Sequence, residues 1–288
     1  MTVLVIGAAG QLGRALVATA PPSQRVVAFE RRDLDLTDGR AIEARVVEVA
    51  PNLVFNAAAY TAVDAAESNA QIAEAVNATA VGQLAAAARA VGARLIHVST
   101  DYVFDGLSSH PYAPDAETQP QNVYGRTKLA GEAAARAIDP NALIVRTSWV
   151  YAARGNNFVL TMLRLMKERS EVRVIADQVG TPTYAMGLAH ALWSLALNGV
   201  AGVLHYSDCG VASWYDFAIA IQEEALAVGL LQKPVPVIPI TTDEWPTAAA
   251  RPRYSVLDKR LTWQHLGTVA PHWRVNLRSM LRELKHHG

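Results

Sequence analysis

Three side chains with matching acid and base chemistry stand at fixed spacing in the middle of the chain. Tyr124 and Lys128 are four residues apart, so they share one face if the segment is helical. Thr100 ends a β-branched run upstream of them. A ketone that accepts hydride needs a proton at its oxygen, and a phenol with a pKa of about 10 can supply one more readily beside an ammonium. The set Thr100, Tyr124 and Lys128 predicts a proton-transfer site for carbonyl reduction.

The Tyr-x-x-x-Lys spacing also arises by chance as a surface helix pair worth a few tenths of a kcal/mol. Its setting favours catalysis, because Thr100 lies where a predicted strand ends, and ligands of parallel sheets bind at the carboxyl ends of strands. His97 lies inside that strand and is interpreted as a packed core histidine rather than a base. A hydrolase built on Asp101 and Asp105 is disfavoured, because it would not explain the neighbouring dinucleotide turn.

A glycine-rich turn follows the first predicted strand and opens the first predicted helix. Its glycines are Gly7, Gly10 and Gly13, spaced G-x-x-G-x-x-G rather than G-x-G-x-x-G. Glycines let the backbone approach a pyrophosphate closely, and the free N–H groups of a helix start hold the anion. An ordinary tight turn is the alternative, but the strand before and the helix after favour a dinucleotide site.

Charged residues of both signs follow the second predicted strand, about twenty residues beyond the turn. A carboxylate at Glu30 would accept the hydroxyls of an adenine ribose and favour NAD, whereas Arg31 would pair with a 2′-phosphate and favour NADP. Asp35 and Leu36 stand in a loop that could cover the adenine ring. The cofactor is therefore expected to be NADPH or NADH, with the preference open.

Short apolar runs alternate with alanine-rich stretches in the first half of the chain, which is typical of a parallel sheet covered by helices on both faces. The expected fold class is α/β, a doubly wound parallel Rossmann sheet with a second, smaller α/β substrate domain. Residues 1–148 would form the dinucleotide-binding domain and 149–288 the substrate-binding domain, with a segment near 198–210 that could return to the sheet. Predicted strands span 3–6, 26–29, 53–56, 95–98, 143–146, 202–206 and an edge segment at 234–239; predicted helices span 12–19, 40–49, 70–91, 125–138, 157–168, 184–198 and 213–228.

Composition excludes several classes of protein. The 288 residues are 51% hydrophobic, and 26 basic residues balance 26 acidic ones. A neutral chain of this kind is neither a disordered tail nor a general nucleic-acid or membrane binder. Cys209 is the single cysteine, and the spacing of Cys and His residues fits no zinc site. The N-terminal run carries no basic start and is too short for a signal peptide or a membrane span, so a cytoplasmic location is expected.

The combined motifs resemble the dTDP-4-dehydrorhamnose reductase family of extended short-chain dehydrogenases/reductases, which acts in dTDP-rhamnose biosynthesis. The likeness covers nearly the whole chain. The matching segments are 7–13 (GAAGQLG), 56–67 (NAAAYTAVDAAE), 99–106 (STDYVFDG), 122–132 (NVYGRTKLAGE), 146–151 (RTSWVY), 155–158 (GNNF), 177–183 (DQVGTPT) and 251–252 (RP).

The resemblance implies a nucleotide-sugar substrate, a dTDP-linked 4-keto-6-deoxyhexose, reduced at C4 by NADPH or NADH. Tyr124 would donate the proton, Lys128 would anchor the nicotinamide ribose, and Thr100 would be the third catalytic member. The other roles that it implies are cofactor contacts by Gly7, Gly10, Gln11, Leu12 and Gly13 at the phosphates, by Glu30, Arg31, Asp35 and Leu36 at the adenosine, and by Ala59, Tyr60 and Thr61 along the dinucleotide, with substrate contacts by Thr100, Asp101, Tyr124, Trp149 and Arg251.

Two positions depart from the family pattern. Some members share a magnesium ion across a dimer through an acidic residue of the first helix, and this chain has Arg14 and Ala15 there, so no metal is expected and the protein would be a monomer or a homodimer. Tyr254 stands where the family often has asparagine. Tyr102 occupies the position where related dehydratases carry a general acid, which favours simple reduction over elimination.

Two other functions remain compatible with these motifs. The regulatory subunit of methionine adenosyltransferase resembles this family and keeps much of the same sequence around Tyr124 and Asp101, so a non-catalytic NAD(P)-binding subunit is one alternative. A reductase of another nucleotide 4-ketosugar is the other. Turnover of NAD(P)H with the ketosugar would separate the enzyme from the regulator.

Overall fold

A computed structural model describes residues 1–287 of the chain. It contains twelve strands, eleven α-helices, one π-helical turn and short 3₁₀ turns in that range. In chain order these are β1 Thr2–Ile6, α1 Gln11–Ala18, β2 Arg25–Phe29, α2 Gly39–Val49, β3 Leu53–Asn56, α3 Val63–Ser68, α4 Ala70–Glu74, the π-turn Ala75–Thr79, α5 Ala80–Ala90, β4 Arg94–Thr100, α6 Val123–Ile138, β5 Leu143–Thr147, β6 Val150–Tyr151, α7 Phe158–Glu168, β7 Val172–Ile175, β8 Val179–Gly180, β9 Thr183–Tyr184, α8 Ala185–Leu197, β10 Gly202–His205, β11 Ala212–Ser213, α9 Trp214–Ala227, β12 Val237–Ile240, α10 Arg260–Leu266 and α11 Trp273–His287.

Six parallel strands form the central sheet, in the order β10-β5-β4-β3-β1-β2. The expected doubly wound α/β class is confirmed. The chain leaves β1 towards β2 and then returns to place β3 on the other side of β1, so the order reverses between β1 and β3. Loops after two strands diverge at such a reversal and leave a crevice at the carboxyl ends, where ligands of open α/β sheets bind.

Successive side chains of the strands alternate between two apolar layers. Val3 and Val5 of β1 face α1 and α8, whereas Leu4 and Ile6 face α2, α5 and α6. All four are buried, as expected for a parallel sheet covered on both faces. The rigidity of this doubly covered sheet fixes the ends of β1, β3, β4 and β5, and therefore the crevice.

A second apolar core lies beside the sheet. Helices α7, α9 and α11 enclose it together with the two-stranded parallel pair of β7 and β12, and Phe217, Leu277 and Leu281 are fully buried at its centre. The Pro-containing segment expected as an edge strand is β12, which pairs only with β7. Trp149, just beyond the carboxyl end of β5, packs against this core.

The chain returns to the large sheet after entering the second core. β10 pairs in parallel with β5, and α8 packs on α1. A domain boundary between residues 148 and 149 would therefore assign the edge strand β10 and the helix α8 to the second half, although both pack with the large sheet. The proposed two-domain division stays a prediction.

One long predicted helix is interrupted. Residues 70–91 form α4, the π-turn and α5 rather than one regular helix, because the turn around Asn77 makes i to i+5 hydrogen bonds. The expected strands of the sheet are present within one or two residues of their predicted ends. The elements that were not predicted are helices α3, α10 and α11, the four-residue strand β7 and the two-residue strands β6, β8, β9 and β11. Most of them are too short for a periodic pattern.

Candidate active site

The glycine turn and the loop after β3 touch at the reversal of the sheet. Gly7 has φ of +83°, and a Cβ there would lie 2.7 Å from the backbone nitrogen of Ala58. A Cβ on Gly13 would lie 2.1 Å from the carbonyl oxygen of Gly7. Only glycine therefore allows the helix start, the turn and the neighbouring loop to approach so closely. The predicted turn is present with the strand and helix that the prediction required.

Helix α1 begins without a side-chain cap. Gly10 occupies the N-cap position, no side chain accepts from the first turn, and no acidic residue stands there. The first backbone N–H groups and the positive end of the helix dipole are thus left for an anion, which fits the pyrophosphate of a dinucleotide. Leu12 is buried in the core, so only its backbone can face a phosphate.

Gln11 connects this turn to the second half of the chain. Its side-chain Oε1 accepts a hydrogen bond of 2.8 Å from Nδ2 of Asn157, and its Nε2 donates to the carbonyl oxygen of Asn156 at 3.3 Å. The segment 155–157 is therefore held over the glycine turn. This contact places the GNNF motif beside the predicted phosphate site, where the sequence alone could not locate it.

The predicted adenosine-binding residues lie around the end of β2. Glu30 is partly buried and pairs with Arg32 at 3.3 Å, while Arg31 is exposed. Hydrogen bonds from the backbone and hydroxyl of Thr37 lower the pKa of Asp35. Leu36 is 9% exposed and packs in the apolar layer with α2. The carboxylates of this group are therefore accessible, whereas the Leu36 side chain supports the core.

A buried asparagine holds the loop of Ala59, Tyr60 and Thr61. Asn77 Oδ1 accepts from the Tyr60 backbone N–H at 2.8 Å, and its Nδ2 donates to the Tyr60 carbonyl oxygen at 3.1 Å and to the Thr127 hydroxyl at 3.1 Å. The π-turn that carries Asn77 thus ties the loop to α6. Sequence reasoning missed Asn77, although an asparagine within an alanine-rich helix pattern signals a local break.

Tyr124, in the first turn of α6, meets Thr100 at the carboxyl end of β4. Asn122 caps α6 by accepting from the Gly125 N–H at 2.7 Å, which sets Tyr124 in the first helical turn. Burial raises the pKa of Tyr124 to about 12, and the hydrogen bond with the Thr100 hydroxyl lowers it by less. The expectation that Lys128 lowers this pKa is wrong for this structure, because desolvation outweighs the other contributions.

Lys128 is buried, with 1% of its surface exposed. Its Nζ donates to the carbonyl oxygen of Val98 at 2.7 Å and lies 3.1 Å from Nε2 of His97. Burial lowers the pKa of Lys128 to about 8, and the Glu132 carboxylate opposes that change. The same burial holds the pKa of His97 well below its usual value. The Tyr124 and Lys128 side chains share the inner face of α6, as predicted.

Buried polar atoms lacking a partner line the carboxyl ends of β4 and β5. Within residues 1–287, these are the hydroxyls of Ser99 and Thr147 and Oδ2 of Asp101. The other carboxylate oxygen of Asp101 accepts from Thr100 at 3.0 Å, and burial raises the pKa of Asp101 to about 6. Unpaired buried polar atoms are costly, so they mark where hydroxyl groups of a polar ligand would be accommodated.

Trp149 is held in a strained position just beyond β5. Its φ is +48°, which bulky residues rarely adopt. Its indole stacks on Trp214 with ring centroids 3.5 Å apart and planes 7° from parallel, and a Cβ on Gly180 would lie 2.8 Å from its Cε2 atom. The strain and the stacking together fix the orientation of the indole. Trp214 was not predicted, since only the fold brings it to Trp149.

Arg251 is paired with an acidic residue of α3. It donates to both carboxylate oxygens of Asp64, at 2.9 and 2.6 Å, and to the carbonyl oxygen of Ala249 at 3.0 Å. Asp64 also accepts from the Ala249 N–H at 3.1 Å. The segment that carries Arg251 is therefore fastened to α3 on the cofactor side. A diphosphate role for Arg251 stays a prediction and would use the Nε–H and the second Nη2–H, which these hydrogen bonds leave.

Comparisons with known proteins agree on one family. The family model described as the RmlD substrate binding domain matches residues 1–286. A Mycobacterium tuberculosis dTDP-4-dehydrorhamnose reductase is 46% identical over 286 residues, covering 96% of this chain and 91% of the relative. A solved dTDP-4-dehydrorhamnose reductase from Clostridium acetobutylicum superposes with a TM-score of 0.93 at 39% identity, covering 99% of this chain and 100% of the other.

A further solved structure carries a cofactor. The dTDP-4-dehydrorhamnose reductase from Bacillus anthracis was determined in complex with NADP, and it matches with a TM-score of 0.92 and 37% identity over 98% of this chain and 99% of the other. Likeness of this extent includes both the sheet and the second core. Within residues 1–287, no helix combines the length and the apolar character that crossing a bilayer requires.

Proposed function

The chain belongs to the dTDP-4-dehydrorhamnose reductase family, and from that membership we propose that it reduces the 4-keto group of dTDP-4-dehydro-L-rhamnose with NADPH or NADH. The family expected from the motifs is thereby confirmed. The observation that carries the proposal is the set formed by buried Thr100 and Lys128 and half-buried Tyr124 beside an uncapped glycine-turn helix. A relative of known structure binds NADP. The product would be dTDP-L-rhamnose.

The residues that would hold the dinucleotide lie along the reversal of the sheet. The Gly10 N–H donates to the Gly7 carbonyl oxygen at 2.9 Å and shapes the turn. The backbone N–H groups of Gln11, Leu12 and Gly13 would bind the phosphates, and Glu30 with Asp35 would bind the adenosine half. The loop of Ala59, Tyr60 and Thr61, fixed by Asn77, would follow the dinucleotide towards Lys128. When bound, the reduced nicotinamide supplies the hydride for the substrate carbonyl.

Tyr124 would act as the acid. With its pKa raised to about 12, its phenol is protonated at neutral pH and holds the proton that the C4 oxygen needs. Thr100 would orient this phenol and contact the same substrate oxygen. Because the crevice buries these groups, the hydrogen bonds form in a medium of low dielectric constant, where they are stronger than in water.

The sugar would lie between the catalytic side chains and the indole of Trp149. The unpaired Oδ2 of Asp101 would accept a sugar hydroxyl, and the fixed indole of Trp149 would cover the apolar face of the deoxysugar. Arg251 would bind the diphosphate through the N–H groups that its bonds with Asp64 and Ala249 leave. The second core, which carries Trp214 behind Trp149, would form the substrate-binding domain.

The direct test is Tyr124→Phe, assayed as oxidation of NADPH and of NADH with the dTDP-linked ketosugar. Turnover should fall at least about a hundredfold, the range for a lost general acid, while cofactor affinity changes little. Tyr112→Phe removes a phenol bonded to Asp105 away from the site and is the matched control. Unchanged turnover in Tyr124→Phe would contradict the assignment, and a wild-type protein that binds cofactor without turnover would favour the regulatory alternative.

The proposed setting of the enzyme is the cytoplasm, as a monomer or homodimer that acts without a metal ion. Light scattering at assay concentration would distinguish the two oligomeric states. Retention of full activity after chelation with EDTA would support the metal-free assignment.

A further inference from the structure

A chain of three buried polar side chains runs behind the proposed active site, from β3 through β4 to α6. Asn56 Nδ2 lies 3.1 Å from His97 Nδ1, and His97 Nε2 lies 3.1 Å from Lys128 Nζ. Asn56, His97 and Lys128 are each at most 1% exposed. The imidazole therefore exchanges hydrogen bonds with these two side chains and not with solvent.

The backbone fixes which way the asparagine amide points. Asn56 Oδ1 accepts from the Ala58 N–H at 3.2 Å, so the amide oxygen faces Ala58 and the amide nitrogen faces His97. An amide nitrogen only donates, and His97 Nδ1 must then accept. A neutral imidazole that accepts at Nδ1 carries its proton at Nε2. Reversing the amide would set two N–H groups, those of Asn56 and Ala58, against each other.

This tautomer turns an N–H towards the lysine. An ammonium has three donors and no acceptor, so a charged Lys128 would oppose the Nε2–H of His97. A neutral amine has two donors and one lone pair. It can accept from His97, donate to the carbonyl oxygen of Val98 and keep one N–H for the crevice. The Asn56 amide nitrogen, the His97 imidazole, the Lys128 nitrogen and the Val98 carbonyl oxygen all have matching partners only when the amine is neutral.

The surrounding charges are compatible with a neutral amine. Glu132, one turn along α6, forms a buried ion pair with Arg146 of β5 at 2.8 Å. Its negative charge is shared with that guanidinium and is not available to Lys128 alone. Tyr124, one turn before Lys128, carries a protonated phenol at neutral pH. Burial lowers the pKa of the amine to about 8, which shifts the equilibrium in the direction of the uncharged form.

We propose that His97 is a positioning residue for Lys128: Asn56 sets the imidazole in the Nε2–H tautomer, and its N–H binds the lysine lone pair and favours the neutral amine. The lysine nitrogen is thereby fixed at the end of β4 with one N–H directed to the crevice. The functional part of this inference rests on the proposed function of Lys128. The tautomer and the charge state do not.

The test is a titration of the lysines in the whole cofactor-free protein. The chain has five lysines, so ¹³Cε-labelled lysine gives a simple spectrum, and Lys128→Met assigns the signal. In His97→Asn the shorter amide can still meet Asn56 but has no group near Lys128. The neutral amine then loses its donor, and the midpoint of Lys128 should rise by about one pH unit or more. The buried Lys259 is the internal control and should not move.

The sign of the change decides the inference. If Lys128 were an ammonium donating to His97, the same substitution would remove an acceptor and lower its midpoint, and that result or no change would overturn the proposal. His97→Gln can place an amide N–H near the Nε2 position and should restore a midpoint within about half a unit of wild type. If His97→Asn does not fold, ¹⁵N spectra of wild-type His97 decide instead, because a proton on Nδ1 would contradict the assignment.

The pH profile of turnover links this chemistry to function. In His97→Asn, the limb of the kcat profile that belongs to Lys128 should move upwards with the NMR midpoint, with the substrate KM changed by less than about threefold. An NMR shift without a kcat shift would leave the hydrogen-bond scheme in place and contradict the role of Lys128 in the proposed function.

Discussion

Two lysines are buried in this fold, in regions that use them differently. Lys128 is 1% exposed at the carboxyl edge of the sheet, and Lys259 is 6% exposed beneath β10. Burial lowers the pKa of both amines. Lys128 meets a titratable imidazole, whereas Lys259 donates to the Ser207 hydroxyl at 3.1 Å and to the Asp208 carbonyl oxygen at 3.2 Å. The partners, rather than the burial, distinguish the two regions.

That difference separates a chemical role from a structural one. Lys128 donates to the carbonyl oxygen of Val98 near the carboxyl end of β4, and the nearby carboxylate of Glu132 is neutralised by Arg146. Around Lys259, the amine bridges two neighbouring residues of one loop and so fixes that loop against α10. A buried amine that only supplies hydrogen bonds to neutral acceptors should contribute to stability, and one that faces a ligand site should contribute to turnover.

The largest expected effect is on turnover and comes from Lys128→Met. Methionine fills a similar volume but removes the N–H groups that would anchor the nicotinamide ribose and act beside Tyr124. We expect kcat/KM to fall at least about a hundredfold, equivalent to about 2.7 kcal/mol of transition-state stabilisation. Steady-state kinetics with NADPH and the ketosugar measures it. A decrease below tenfold would place Lys128 with Lys259 as a structural amine and remove the contrast.

The features of the Lys128 region that depend on residues close together in the chain could be predicted from the sequence. Tyr124 and Lys128 lie one helical turn apart, so their spacing along the chain already places them on one face. The glycine turn is a seven-residue feature and was equally visible. His97 was interpreted as a core histidine, and it is buried, but its contact with Lys128 depends on how β4 packs on α6.

Features that depend on three-dimensional packing were not predicted. The direction of the Tyr124 pKa was wrong, because the sequence shows the charged neighbour along the helix and not the desolvation by the surrounding fold. Trp214 meets Trp149 across 65 positions of the chain, and Asn77 meets Tyr60 through a π-turn that breaks a regular alanine-rich pattern. Neither contact produces a periodic pattern in the sequence from which it could be predicted.

The second-largest expected effect is on stability and comes from Asp208, next to the Lys259 contacts. The free energy of unfolding should depend on pH in a direction that its pKa fixes. Burial raises the pKa of Asp208 to about 7, above its value in the unfolded chain. The folded protein then binds this proton more tightly, so wild type loses stability as pH rises from about 4 through 7. Asp208→Asn removes the titration. Its unfolding free energy relative to wild type should increase by a few kcal/mol between pH 5 and pH 8, at about 1.4 kcal/mol for each unit of pKa shift.

Urea unfolding at the two pH values measures this difference. The raised pKa of Asp101 acts in the same direction but is common to both proteins and cancels. Asp258→Asn is the control, because ion pairing with Arg260 lowers the pKa of Asp258 and its titration ends below pH 5. Equal pH dependence in wild type and Asp208→Asn would show that Asp208 is ionised across this range, with Lys259 as its counter-ion rather than as a neutral-acceptor bridge.

The smallest expected effect is that of Lys259→Met, which tests the structural half of the comparison. The substitution leaves the Ser207 hydroxyl oxygen without its donor, whereas the Asp208 carbonyl oxygen keeps the hydrogen bond from the Ser207 hydroxyl at 3.2 Å. An unpaired buried acceptor costs about 1–3 kcal/mol. Part of that cost is offset because a desolvated amine is removed as well. We expect the midpoint of thermal unfolding to fall by about 2–6 °C, with kcat and KM within about threefold of wild type, since the lost contacts lie outside the crevice. Loss of turnover at unchanged stability would mean that the loop after β10 positions the catalytic side chains, and burial alone would then not separate the two lysines.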